Sequence, residues 1–300
     1  MKKHSIFLLV ALCLGVCFVG VFITKHNQPS AEQNNFVPSR IISINPAATE
    51  IIFELGCDKK LIAISDFCNY PPETENIDKV GGVINPNFER ISVLNPDFII
   101  IQGKCEDITD FCNHKNIEYI NINLRNISEI YQGISELGSK LGCPAAAEKL
   151  CDKINNELET IKIKLSSTEK KKVFFSLYRT PGTLASITSV GPDTFLGELI
   201  EIAGGENIFS DIGQDYPVIS KETIMKRQPD IIIEPYSHSA GENCDPNDAL
   251  KDWSKLGKLD AVINKKLYVI DGDLVLKPGP RVGQAALKLA RLIHPELFDE

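Results

Sequence analysis

NPNFERISVLNPDFIII at residues 85–101 sets the reading of this chain, because YPVISKETIMKRQPDIIIE at 216–234 repeats its grammar. Each stretch carries a glutamate, a Pro-Asp seven residues later and then an apolar, isoleucine-rich run. Glu89, Pro96 and Asp97 stand 133 residues before Glu222, Pro229 and Asp230. In each copy a helix must end at the proline, which has no amide proton and clashes with the preceding turn, and a buried strand follows. Two copies in register predict a duplicated α/β body with an exposed carboxylate at the same point of each half.

On either side of these stretches, strands and helices alternate. RIISI (40–44) reads as a buried strand. In NPAATEIIFELG, Asn45 caps a helix, Pro46 takes its first position and Gly56 ends it. Strands follow at 61–65, 97–101 and 117–122, with helices at 87–94 and 108–116. The later half repeats the alternation, with strands at 172–177, 230–234 and 266–271 and helices at 194–205, 222–228 and 282–293. Alternation of this kind builds parallel sheets covered by helices. Between the halves, Ala147, Leu150, Cys151, Ile154, Leu158, Ile161 and Leu165 recur at steps of three and four, which predicts one long helix over 144–166 opened by Pro144. The expected fold is α/β, two Rossmann-like lobes joined by that single helix. Its expected boundaries are lobes at 40–142 and 169–300 and a connecting helix at 143–168.

The N-terminus carries a different signal. Lys2 and Lys3 precede an unbroken apolar run over 6–23 that Lys25 closes. Eighteen helical residues span about 27 Å, close to a bilayer's hydrocarbon thickness, and the leading charges hold that end in the cytoplasm. Residues 1–24 are thus expected to be a membrane anchor or signal, with a flexible polar tether at 25–39. Cys17, in Leu14-Gly15-Val16-Cys17, resembles a lipoprotein box, although Val16 stands where a small residue is usual; an uncleaved anchor and a lipid anchor are both open. Nine cysteines include no C-x-x-C, so no zinc knuckle or thioredoxin motif is present; pairing cannot be read from spacing. The net charge of −8 excludes a non-specific nucleic-acid binder, which needs a basic surface to displace counterions.

No nucleophile elbow, H-E-x-x-H, phosphate loop or dinucleotide fingerprint occurs, so no catalytic residue and no metal site are assigned. His114, His238 and His294 are far apart; His238 reads as a solvated loop residue and His294 as structural. Ligands of open α/β sheets bind beyond the carboxyl ends of the strands. Phe67, Tyr70, Tyr178, Tyr216, Tyr236 and Trp253 lie at or near such ends, which favours a flat apolar ligand. Lys277 and Arg281 precede the last helix, where a cation is locally unfavourable; they are read as contacts to an anionic ligand group or as a solvated basic loop.

RIISINPAATEIIFELG, YPPE (70–73), NFERISVLNPDFIII, GGENIF (204–209) and PGPRVGQAALKLARLIHPE (278–296) together resemble the cobalamin- and ferric-siderophore-type periplasmic binding proteins of ABC transporters. The resemblance covers roughly residues 38–298. It implies two α/β lobes joined by a long helix, no enzymatic activity, and a metal chelate carried as cargo rather than as catalyst. It also implies that Glu89 and Glu222 dock onto a permease dimer driven by its ATPase. Within the cobalamin branch, Phe67 and Tyr216 match aromatic ligand contacts, whereas Val83 and Gln102 stand where tryptophans are used. The expected ligand-binding set is Phe67, Val83, Gln102, Tyr178, Tyr216, Tyr236 and Arg281, holding a corrinoid. A ferric-siderophore or haem carrier, and a surface-anchored α/β enzyme, are the competing readings.

Overall fold

The computed structural model describes residues 36–236 and 245–298, and Val37–Glu300 forms one compact unit. The apolar run at 6–23, Cys17 and His238 lie outside the described residues. In the first half, β1 (Ile41–Ser43), β2 (Leu61–Ile64), β3 (Asp78–Lys79), β4 (Phe98–Gln102) and β5 (Glu118–Ile122) form a sheet ordered β3-β2-β1-β4-β5. In the second, β6 (Lys171–Phe175), β8 (Gly205–Asn207), β10 (Ile231–Tyr236) and β11 (Leu267–Asp271) form a sheet ordered β11-β10-β6-β8. Every pairing in both sheets is parallel. The series β2-β1-β4-β5 therefore matches β8-β6-β10-β11 strand for strand. A small antiparallel pair, β7 (Ile187–Thr188) with β9 (Val218–Ile219), is added to the second half.

The repeated stretch has the same local build in both copies. α2 (Phe88–Leu94) is capped by Asn87, whose side chain accepts from Arg90 N, and α7 (Lys221–Arg227) by Ser220, which accepts from Thr223 N. Both helices stop on a left-handed residue, Asn95 (φ 47°) and Gln228 (φ 45°). The aspartates then latch the neighbouring strand: Asp97 accepts from Ser39 N and Arg40 N, and Asp230 accepts from Lys172 N. The Pro-Asp pair is thus a helix stop and a strand clasp at once.

Alternation along the strands separates the sheet faces. Ile41, Phe98 and Ile100, with Val173, Phe175, Ile231 and Ile233, share one continuous core that also takes in the long helix. Ile42, Ile99 and Ile101 enter a separate cluster on the other face of the first sheet, as do Phe174 and Ile232 on the second. The long helix, α5 (Pro144–Leu165), has 22 residues and buries Ala147, Leu150, Ile154, Leu158, Ile161 and Leu165. It is not a bare rod. Its neighbours are α4 (Ile127–Leu141) from the first half and α6 (Phe195–Ile202) and α11 (Val282–Ile293) from the second. At the α11 crossing, a Cβ on Gly283 would stand 2.7 Å from Glu157 Cβ, so only glycine permits that approach. α4 itself has no counterpart among the expected elements. Its buried Ile130, Gly133, Ile134, Leu137, Gly138 and Leu141 keep helical spacing, with two glycines on the packed face.

Candidate functional site

The carboxyl ends of β4 and β5 carry the first half's share of the site. Gln102 closes β4, and its side-chain oxygen accepts from Asn45 Nδ2. Asn45 also accepts from Ala48 N, so the residue that starts α1 (Pro46–Glu54) fixes the Gln102 amide as well. Beyond β5, Asn123, Leu124 and Arg125 lead into α4. From the second half come Phe195, Asp215, Tyr216, Leu276 and Pro278. Together with Gln102, Gly103 and Glu129, these line a cavity of about 630 Å³. Its base is apolar (Leu124 and Phe195 are buried) and its rim polar.

Arg125 is the cation of this rim. Its guanidinium lies 3.5 Å from Glu129 and 3.7 Å across the cleft from Asp215. Tyr216 is half-buried; burial, then the adjacent Asp215 carboxylate, pushes its phenol up, so it is a hydrogen-bond donor at neutral pH. The site thus offers amide, guanidinium, carboxylate and phenol groups around an apolar floor, the pattern of a pocket that orients a ligand.

Of the seven expected ligand residues, the structure brings Gln102 and Tyr216 into this one cavity. Phe67 follows β2 and lies half-exposed against Gly82, where a Cβ would approach Phe67 Cε2 to 2.6 Å. Val83, beside Gly82 on the loop after β3, is 37 % exposed. Tyr178, 54 % exposed, follows β6, and Tyr236 ends β10. These four stand at strand ends but do not line the cavity.

Arg281 has a different environment from the one expected of a ligand contact. It is buried, its Nε donates to Glu50 Oε2 at 2.8 Å and its Nη2 to Glu50 Oε1 at 2.5 Å, and Tyr70 stacks 3.9 Å from the guanidinium. Lys277 is likewise engaged, by Asp273 at 2.6 Å and by Asn69. Glu50, Asn69 and Tyr70 belong to the first half and the others to the second, so this cluster staples the halves beside the cleft. Burial pushes the Glu50 carboxyl up and Arg281 opposes it. Trp253 is also no ligand surface. It is fully buried, edge-on to Phe174, with its indole N–H donated to Glu234. His294, fully buried, contacts Gly204 O at 3.0 Å, consistent with a structural role.

Sequence reasoning passed over Arg125, Asn123 and Asp215. The signal for the first two was present: they directly follow a predicted strand, as Gln102 does. Asp215 comes from a loop whose position only the second half's fold fixes. Glu89 and Glu222 are both exposed, each in the first turn of its helix, where a carboxylate also complements the helix dipole.

Comparison with known proteins adds an independent line. The family model described as periplasmic binding protein matches residues 41–274. An uncharacterized ABC transporter substrate-binding lipoprotein of Bacillus subtilis is 28% identical, covering 88% of this chain and 82% of the relative. The vitamin B12-binding protein of Vibrio parahaemolyticus is 26% identical, covering 93% and 94%. The crystal structure of a possible iron-binding (periplasmic solute-binding) protein from Staphylococcus epidermidis superposes with a TM-score of 0.75 at 26% identity, over 86% of this chain and 100% of that one. Among the described residues, no helix is long and apolar enough to cross a membrane.

Proposed function

This chain belongs to the periplasmic binding protein family, and from that premise we propose that it is the extracytoplasmic solute-binding subunit of an ABC importer, taking a corrinoid-like ligand between its halves. The observation that carries the reading is the cavity lined from both halves. Gln102 and Asn123 line it at the carboxyl ends of β4 and β5, and Phe195, Asp215, Tyr216, Leu276 and Pro278 from loops and a helix start of the second half. A corrinoid is a broad ring edged with carboxamides. An apolar floor of Leu124, Phe195 and Leu276, rimmed by Gln102, Asn123, Arg125 and Tyr216, suits such a periphery, and relatives from several Vibrio species are named vitamin B12-binding proteins. Phe67, Val83, Tyr178 and Tyr236 would widen the contact at the mouth. Arg281 would act on the ligand only through the staple it forms with Glu50. That staple, with the shared core along α5, favours capture with little closure of the halves. In this reading the chelate is cargo and the protein performs no catalysis.

Glu89 and Glu222 are assigned to docking on the permease dimer, since the repeat gives one exposed carboxylate to each half. Such charges steer and register a partner more than they add affinity. The lobe limits at 40–142 and 169–300 and the connecting helix at 143–168 belong to the same reading. So does tethering through residues 1–24, by an uncleaved anchor or by a lipid on Cys17, with 25–39 as the tether.

Absorbance titration of the purified protein with cyanocobalamin, haem and a ferric hydroxamate tests the ligand. Saturable binding at micromolar or lower concentration is expected for cyanocobalamin alone; saturation by either iron chelate alone moves the assignment to the ferric ligands. The double variant Glu89→Ala with Glu222→Ala should keep ligand affinity while uptake by reconstituted transporter is lost. A collapse of ligand affinity removes the docking assignment.

A further inference from the structure

Leu-Gly-Cys occurs twice, at 55–57 and at 141–143, and the structure puts the two cysteines together. Cys57 Sγ and Cys143 Sγ are 3.4 Å apart although 86 residues separate them in the chain. Both follow a helix stop of the same design. After α1, Gly56 is left-handed (φ 69°), Gly56 N donates to Phe53 O and Cys57 N donates to Ile52 O at 3.0 Å. After α4, Gly142 is left-handed (φ 78°), Gly142 N donates to Ser139 O and Cys143 N donates to Gly138 O at 2.7 Å. This is the doubly hydrogen-bonded Schellman stop, and it fixes the backbone from which each sulfur projects. Lys60 Nζ, donating to Leu141 O at 2.9 Å, straps the two stops to each other.

We propose that Cys57 and Cys143 form an oxidisable pair that closes into a disulfide. A disulfide sulfur pair lies about 2.0 Å apart, so closure needs only a small side-chain rotation on two pinned backbones. Both residues are partly exposed and within reach of a small disulfide donor. In the exchange, one thiolate attacks the donor disulfide and expels a donor thiol; the second thiolate then attacks the protein sulfur and expels the other. Two protons and two electrons leave the protein, and the donor is reduced to two thiols. Of the other described cysteines, Cys68 meets Thr49 Oγ1, Cys105 donates to Gln102 O, Cys151 donates to Tyr131 O and Cys112 is fully buried. The pair sits where α1 and α4 end, at the edge of the sheet away from the strand ends that form the cleft. Closure would bind the first half's α1 to the root of α5 without touching the ligand cavity.

The inference stands on this geometry and needs no ligand, so its test is independent of the function proposed above. The full chain is equilibrated in oxidised and in reduced glutathione, blocked with an alkylating reagent, digested and mapped by mass spectrometry. The oxidised sample should yield one linked peptide pair joining Cys57 to Cys143, lighter by two hydrogens than the separate thiol peptides. Its unfolding midpoint should rise by about 3 °C or more, because the crosslink restricts the unfolded chain. Cys57→Ser and Cys143→Ser should each abolish both the linked peptides and the rise. Alkylation of both thiols in the oxidised sample, a link from either cysteine to any other, or an unchanged or lower midpoint in the linked protein would overturn the proposal.

Discussion

The two halves share a strand order and the core along α5, but not the chemistry of their outer layers. β4 pairs with β1 through Phe98, Ile99 and Ile100, as β10 pairs with β6 through Ile231, Ile232 and Ile233. The next position in the same register is Ile101 in the first half and Glu234 in the second. Ile101 is fully buried among aliphatic side chains and two cysteines. Glu234 is nearly as buried, yet it holds Arg179 Nε at 2.9 Å and the Trp253 indole, while Arg179 reaches Asp252 at 2.8 Å. One half therefore solves the position by hydrophobic burial and the other by a closed ionic network. A duplicated framework constrains backbone pairing and faces; it leaves the chemistry of the outer layer free to diverge wherever every buried charge finds a partner.

That contrast can be broken by mutation. Arg179→Met leaves Glu234 without its ionic partner and should cost about 3–5 kcal/mol, whereas Ile101→Val at the matching position should cost only about 0.5–1.5 kcal/mol. Denaturant unfolding of the two variants compares them directly, and equal losses would contradict the distinction. The seam between the halves comes next. Glu50→Gln removes the carboxylate from the buried Arg281 and should lower stability by about 2 kcal/mol, with a single unfolding transition retained because the core along α5 still joins the halves. Two separated transitions in calorimetry would mean that the staple, not the core, couples them.

The repeated aspartates offer a smaller, sharper test. Asp97 accepts from Ser39 N, Ser39 Oγ and Arg40 N, while Asp230 accepts from Lys172 N. Asp97→Ala should therefore destabilise by about 2 kcal/mol and Asp230→Ala by about 1 kcal/mol; the reverse order in chemical denaturation would count against the clasp. The least effect belongs to the C-terminal latch. A hydrogen bond from Lys171 holds the Glu296 carboxyl down at about 2, against an ordinary 4.5. The folded chain then binds fewer protons there than the unfolded chain. The latch contributes above about pH 4.5 and is lost as pH falls toward 2. Glu296→Gln should flatten this part of the stability profile, a small change because the carboxylate is half-exposed.

What was legible in the sequence was whatever rests on local physics. Asn45, Pro46 and Gly56 bracket α1 because capping, fixed φ and left-handed stops act within a few residues. The triple isoleucines mark buried strands because both faces of a parallel sheet are covered. α4 was missed although its period is intact, since Gly133 and Gly138 look like breaks until close packing against neighbouring elements explains them. At the cleft, the family resemblance supplies Gln102, and a rule placing ligands beyond strand ends supplies Tyr216. It cannot tell Arg281, spent on Glu50, from Arg125, which faces the cavity.

The sequence by itself determined the duplicated α/β plan, the long helix between the halves and the paired carboxylates of Glu89 and Glu222, because each is written in periodicity, stop signals and register. Only the tertiary structure decided which cations are neutralised, which aromatics are buried, and which cysteines meet. Those outcomes depend on side chains brought together from up to 231 positions apart, as Glu50 and Arg281 are, and no local pattern encodes a partner at that range.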